Sequence, residues 1–532
     1  MAVGRTKGVT LLGLDGRVVD VEADVASGLS SFTVTGLPDT ALAQARDRVK
    51  AACRNSGLGF PDGRVTVNLS PASLPKHGSG FDLAIAVAVL TAAGVVPAAV
   101  PHRLVHLGEL GLDGRLRSVR GVLPAVLAAA RAGVESVVVP AANEVEASVV
   151  PGVEVRGVVS LAGLVALYRG EPLLEEPVVL HAVGGRARSR SASGSVSDPV
   201  SDAADLSAPG RRQDLSDVVG QPEARIALEV AAAGGHHLFL LGPPGAGKTM
   251  LASRLPDLLP DLSRQEALEV TALHSLAGRL PDGAGLVVRP PYVDPHHTAS
   301  AAAIVGGGVG LPRPGAASMA HHGVLFLDEA PEFSARVLDA LRQPLEDGSL
   351  VIHRAAGTAR YPARFQLVMA ANPCPCGRAT GKGLSCTCTP MARRRYLARL
   401  SGPLLDRVDL QVGVLPVTRT QLDAGVVVES TVTVAKRVRQ ARAAQAARWA
   451  EQGWQLNAHA PGQLLRSMPY RLDPHVRADL DRAFERGAVS MRGYDRVLRT
   501  AWTVADLAGR TSPDVDDVGR AASLRDQWSV AA

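Results

Sequence analysis

The run Gly242-Pro243-Pro244-Gly245-Ala246-Gly247-Lys248-Thr249 constrains this chain more than any other feature. It fits G-x-x-x-x-G-K-[ST], follows the apolar run Leu238-Phe239-Leu240-Leu241, and opens a helical pattern at Thr249. The glycines let backbone N–H groups close around phosphates, and the helix start adds partial positive charge. In such a loop Lys248 reaches the β and γ phosphates, and Thr249 offers its hydroxyl to Mg²⁺. Lysine is scarce here: positions 7, 50, 76, 248, 382 and 436 are the only ones among 57 Lys+Arg residues. The predicted ligand set is therefore ATP with Mg²⁺.

A strand that runs into a phosphate loop belongs to a parallel sheet with its loops at the strand C-termini. Two further strands are predicted. Val324-Leu325-Phe326-Leu327 ends in Asp328-Glu329, and the run from Phe365 to Ala371 ends in Asn372. Asp328 suits a Mg²⁺ ligand, direct or through water, and Glu329 a base that activates the attacking water. Asn372 can position that water, although asparagine at a strand end is also a common turn former. The fold class read from this half is α/β.

The rest of the chain sets the frame. Its 532 residues suggest about three or four domains. With 46% hydrophobic and 20% charged residues a packed core is available, and with 3% aromatics it is built from Ala, Val and Leu. The net charge of +6 is compatible with a polyanion partner without requiring one. Five cysteines exclude a disulfide-stapled scaffold. No apolar segment follows Met1–Lys7, so no signal peptide is expected. The longest apolar stretch, Leu83–Val100, is broken by Gly94 and Pro97 and reads as a buried helix rather than a membrane span. A soluble, cytoplasmic protein is expected.

Residues 184–210 are rich in Gly, Ser, Asp and Arg and read as a flexible linker. They separate an N-terminal domain, 1–183, from a nucleotide-binding core, 211–417, and a helical, Arg-rich domain, 418–532. In the first domain, strands are predicted at Val18–Val25, Arg64–Leu69 and Val134–Val139. Helices are predicted at Asp39–Arg54, with Asp39 or Thr40 as cap, and at Asp82–Ala93 and Leu123–Ala132. In the core a helix is predicted at Gln221–Ala233.

Cys374-Pro375-Cys376 and Cys386-Thr387-Cys388 place four cysteines within a short span. Four thiolates suit a tetrahedral, structural Zn²⁺, and the loop lies where a metal would hold its neighbours in place. The C-x-C spacing is tighter than the usual C-x₂-C, so reduced thiols or redox pairs stay open as readings. The His pairs at 236–237, 296–297 and 321–322 are not read as metal sites, because adjacent side chains on a strand face opposite ways. Arg393-Arg394-Arg395 reads equally as a nucleic-acid patch or as solvated charge.

GPPGAGKT at 242–249, LFLDEAPEF at 325–333, AANPCPCG at 370–377 and SGPLLDRVDL at 401–410 resemble the magnesium-chelatase-like branch of the AAA+ ATPases, and within it the YifB/ComM family. The resemblance implies a P-loop NTPase core with a helical C-terminal lid. It implies a ring, a hexamer in transformation-linked members, that drives branch migration of DNA in recombination. By the same resemblance Asn372 is sensor 1, Arg407 an arginine finger for a neighbouring subunit, and Arg492 sensor 2, with Arg496 the less favoured choice. Arg407 could instead pair with Asp406 or Asp409. The segment Gly348–Arg364 reads as a hairpin, which in this branch points into the ring pore; Arg354 and Arg360 could meet phosphates there, as could Arg313 in the glycine-rich insert at 306–313. An exposed hairpin with solvated arginines is the plainer reading. Branched or single-stranded DNA is the expected partner; a magnesium-chelatase-type ATPase that remodels a protein is the alternative, and a non-motor scaffold a third class.

The N-terminal domain resembles the α+β, ribosomal-protein-S5-domain-2-like domain of Lon proteases through Pro75-Lys76-His77-Gly78 and Gly108–Arg115. That domain carries a Ser-Lys dyad. Here the nucleophile position falls on Gly80, with Ser79 one residue early, and the lysine position falls on Leu123. No lysine lies between Lys76 and Lys248, so no peptidase activity is expected.

Overall fold

The computed structural model describes residues 3–36, 42, 44–76, 78–172, 213–308, 312–354, 357–379, 386–419 and 428–531, the side chains of the last six residues excepted. The proposed linker at 184–210 and the cap at Asp39 or Thr40 lie outside them.

The first domain is built on a seven-stranded mixed sheet. Its order is Ser31–Thr35, Arg64–Ser70, Asp15–Ala26, Gly4–Leu12, Val105–His106, Ser136–Pro140 and Glu154–Val158. Alternation places Val19, Val21 and Ala23 in the core and their neighbours outward. Helix Asp82–Ala92 is buried from Asp82 to Thr91. Its sequence has no polar face, as a helix surrounded by protein requires. The one acid on it, Asp82, is held by Arg48 through Nε at 2.6 Å and Nη2 at 2.9 Å. A buried carboxylate without that partner would be costly.

The core carries a five-stranded sheet, all parallel: Tyr292–Val293, Val324–Leu327, Gln366–Ala371, Leu238–Leu241 and Leu410–Gly413. The three central strands are buried along their whole length, which is why they read as unbroken apolar runs. Their register brings the loops after Leu241, Leu327 and Ala371 to one edge. Helix Pro222–Gly234 packs beside them.

After Gly413 the described residues contain helices and no strand. Thr431–Arg448, Met491–Leu507 and Val515–Ala531 are the long ones. Ser430 and Ser490 cap two of them by accepting from the N–H of Thr433 and Gly493. Trp449, Tyr494 and Trp502 fill the core of this part. No described helix is long and apolar enough to cross a membrane.

The predicted hairpin forms from Ser349–Arg354 and Gly357–Pro362. It does not stand free. Leu350, Ile352, Ala359 and Tyr361 share one face; Ile352, Ala359 and Tyr361 pack with Leu273, Leu276 and Leu14. Leu14 follows the first strand of the N-terminal domain, and Leu12 of that strand abuts Gly357. Helix Arg264–Ala277 joins the same junction, with Ala272 buried among Val9, Val105 and Leu123.

Candidate nucleotide site

The loop after Leu241 turns on Gly245 and Gly247, whose φ values of +77° and +94° lie where a Cβ is disfavoured. Gly247 delivers the chain into helix Lys248–Ala252. Lys248 is 8% exposed, and its ammonium donates to Gly242 O at 2.7 Å, Pro243 O at 2.9 Å and Asn372 Oδ1 at 3.0 Å. Burial lowers its pKa, and the charges of Asp328 and Glu329 oppose that shift.

Thr249 Oγ1 donates to Asp328 Oδ2 at 2.7 Å. Asp328 also accepts from the Glu329 N–H at 2.9 Å. Glu329 itself adopts φ +50°, a strained value for a glutamate, just past the strand end. Its carboxylate lies 3.5 Å from His297 Nδ1. Lys248, Thr249, Asp328, Glu329 and Asn372 thus lie together at the strand ends. A hydroxyl and a carboxylate side by side are hard oxygen donors of the kind Mg²⁺ takes, so Thr249 and Asp328 fit the metal.

His297 and Gln221 are additions that the sequence did not reveal. Gln221 is buried at φ +56°, and its amide donates to Ala246 O at 3.3 Å and to Leu415 O, fixing the P-loop from behind. A histidine pair and a glutamine before a proline carry no local signal of either role.

The arginines fall elsewhere. Arg407 donates to Pro403 O at 2.5 Å and to Glu346, bonds to none of its own chain's P-loop groups, and pairs with neither Asp406 nor Asp409. Its Nε is buried without a partner. Arg496 is tied to Asp406 O at 2.6 Å and to the buried Asp409. Arg492 is exposed on the first turn of the same helix. On the hairpin, the register puts Arg360 opposite Val351 and Arg354 opposite Gly357, so the two arginines lie on opposite faces. Arg313 is exposed, and its backbone bridges Gly307. Residues 309–311 of that insert, and 355–356 of the hairpin turn, lie outside the described residues.

The sulfurs of Cys374, Cys376, Cys386 and Cys388 lie within 4.8 Å of one another. His321 and His322 depart from the expected divergence: both approach Glu269, at 3.1 and 3.4 Å, because His322 at φ +56° sits in a turn rather than a strand. His321 Nδ1 accepts from the Arg364 N–H, so its Nε2 carries the proton and donates to Glu269. That closes the group as a hydrogen-bonded cluster.

In the N-terminal domain the Lys76 ammonium is buried and donates to Leu69 O at 3.1 Å and to Pro71 O. The Ser79 hydroxyl donates to Glu109. Leu123 is buried.

Three family models cover most of the chain. "Magnesium chelatase, subunit ChlI" matches residues 214–422, "Subunit ChlI of Mg-chelatase" residues 21–143, and "Magnesium chelatase, subunit ChlI C-terminal" residues 428–525. A protein of Mycobacterium tuberculosis is 52% identical over 99% of both chains. YifB of Escherichia coli is 40% identical over 93% of this chain and 92% of its own. Competence protein ComM of Haemophilus influenzae is 39% identical over 94% and 92%. Lon protease 2 of Thermus thermophilus is 30% identical over 28% of this chain and 19% of its own, a partial likeness. With its phosphate loop, acidic strand end and polar strand end in register, and with likeness along nearly its full length, the chain belongs to the YifB/ComM family of magnesium-chelatase-like ATPases.

Proposed function

We propose that this protein is an ATP-driven ring motor that acts on branched or single-stranded DNA, as a branch-migration helicase in recombination. The observation that carries the ATP half is the convergence of Lys248, Thr249, Asp328, Glu329 and Asn372 on one sheet edge. Lys248 binds the triphosphate, Thr249 and Asp328 hold Mg²⁺, and Glu329 takes the proton of the attacking water, which Asn372 orients. Bound Mg²⁺ supplies neutralisation of phosphate charge. His297 beside Glu329 positions that carboxylate.

Arg407 acts on a neighbouring subunit's nucleotide. This reading is supported by its bonds, which run to Glu346 and Pro403 and not to its own P-loop. A guanidinium supplied across a seam couples hydrolysis to ring geometry, and a hexamer is the ring proposed. Arg492, exposed and on the lid, is the sensor 2 candidate; Arg496 has a structural partner in Asp409.

The DNA half is supported by the likeness to a competence protein, by the basic balance of the chain, and by Arg313, Arg354 and Arg360. The N-terminal domain is Lon-like in fold and does not hydrolyse peptides: Ser79 is bonded to Glu109, and the buried Lys76 ammonium donates to two backbone carbonyls. It serves in assembly, against the hairpin. A second reading, an ATPase that remodels a protein partner, is favoured by the chelatase description of all three family models. ATPase assays with single-stranded, duplex and four-way DNA separate the two, since the second reading requires a protein for stimulation.

A further inference from the structure

The cysteine loop is more than a metal-sized cluster; its placement gives it a task. Cys374 Sγ lies 3.3 Å from Cys376 Sγ and 3.7 Å from Cys386 Sγ, and Cys376 lies 3.6 Å from Cys386. A tetrahedral zinc with sulfurs about 2.3 Å away has S–S edges of about 3.8 Å. These separations come close to that tetrahedron, and they are too short for the thiols to enclose a multi-iron cluster. All four cysteines are free thiols.

Both ends of the loop run into the nucleotide site. Cys374 is two residues beyond Asn372, whose side chain accepts from Lys248. Cys388 is two residues before helix Pro390–Leu397, and that helix carries Tyr396, buried near Glu332 and Glu329, where burial and those charges push its phenol up. Between the first two cysteines and the rest, Gly377 turns at φ +73°, and its N–H donates to Cys374 O at 2.9 Å. A Cβ on Gly377 would sit 2.5 Å from Cδ of Pro244. The loop therefore lies directly on the P-loop, with only hydrogen to spare.

We propose that Cys374, Cys376, Cys386 and Cys388 bind one structural Zn²⁺, and that the metal-closed loop braces the P-loop through Gly377 against Pro244 and sets Asn372 for the nucleotide. Each ligating thiol gives its proton to solvent and becomes a thiolate. The zinc performs no chemistry on the nucleotide; it fixes the groups that touch it. The bracing role rests on the ATP-site reading above, while the metal site does not.

The test uses the full chain, purified without chelator. Elemental mass spectrometry is expected to find about one zinc per chain, lost in the Cys386→Ser, Cys388→Ser double variant. Gly377→Ala is expected to keep its zinc yet bind a fluorescent ATP analogue about tenfold more weakly, as perturbing an outer support does. Stripping zinc from the parent with a chelator is expected to weaken the same binding. Thermal melting of each protein separates local from global effects. A parent that carries no metal, or carries iron, overturns the site. Zinc with unchanged nucleotide affinity, both in Gly377→Ala and after stripping, overturns the brace. Metal content is read without nucleotide, so a parent that holds zinc but binds no ATP analogue would contradict the ATP reading and leave the metal site standing.

Discussion

Lys248 has all its ammonium protons engaged, on two carbonyls of its own loop and on Asn372. A triphosphate offers stronger, charged acceptors, so on the function proposed above the lysine would exchange partners on binding and free the Asn372 amide. The roles around it separate in kinetics. Glu329→Gln is expected to retain ATP binding and to lose turnover by about 10²–10⁴-fold, read by phosphate release beside equilibrium binding. Turnover near the parent rate would remove Glu329 from its role. Arg407→Ala is expected to bind ATP and to lose hydrolysis by about 10³-fold or more. Mixing it with Lys248→Ala subunits should recover activity, because each supplies what the other lacks; failure to recover would place Arg407 outside any shared site. The P-loop and both strand-end motifs were legible because each is a local pattern with its own strand. His297 beside Glu329, and Gly377 against Pro244, were not legible. They depend on chain segments brought together only by the folded sheet.

Helix Met491–Leu507 sets neighbouring arginines in different surroundings, Arg492 exposed and Arg496 in an ion pair. Arg496 closes a buried pair with Asp409, which is 3% exposed and whose pKa lies well below the usual carboxylate range: burial pushes it up, and Arg496 with His236 and His237 outweigh that. Arg496→Ala leaves that charge buried without its guanidinium partner, and should cost about 3–5 kcal/mol of stability in urea unfolding. Arg492→Ala should leave the unfolding midpoint in place and change the nucleotide dependence of turnover. Equal midpoints for both variants would contradict the division. The hairpin at 349–362 was legible by alternation and its turn, yet which face is covered was not: Leu14 meets it from far along the chain. Strand Leu410–Gly413 escaped detection because Gln411 and Gly413 break its apolar run and no motif follows it, unlike the equally short Leu238–Leu241 and Val324–Leu327. The linker reading falls outside the described residues and stays an expectation.

Across the molecule, histidines packed in the core stay neutral rings. Burial pushes His106 down to about 3 and His274 to about 4. His106 sits between Thr6 at 2.5 Å and Tyr168 at 2.6 Å. An unfolded histidine takes up its proton near pH 6.5. Below that, the unfolded chain binds protons that the folded chain refuses, so stability is present above about pH 6.5 and declines as pH falls toward 4. The urea midpoint at pH 5 should lie below that at pH 7; an equal or higher one would contradict the neutral burial. The most direct measurement is steady-state ATP hydrolysis by the full chain, alone and with single-stranded, duplex and four-way DNA at one low salt concentration, since phosphate contacts weaken steeply with salt. Branched or single-stranded DNA should raise the rate several-fold, and the Arg354→Ala, Arg360→Ala double variant should lose that rise while keeping its basal rate. A rate indifferent to every DNA would contradict a motor that works on DNA.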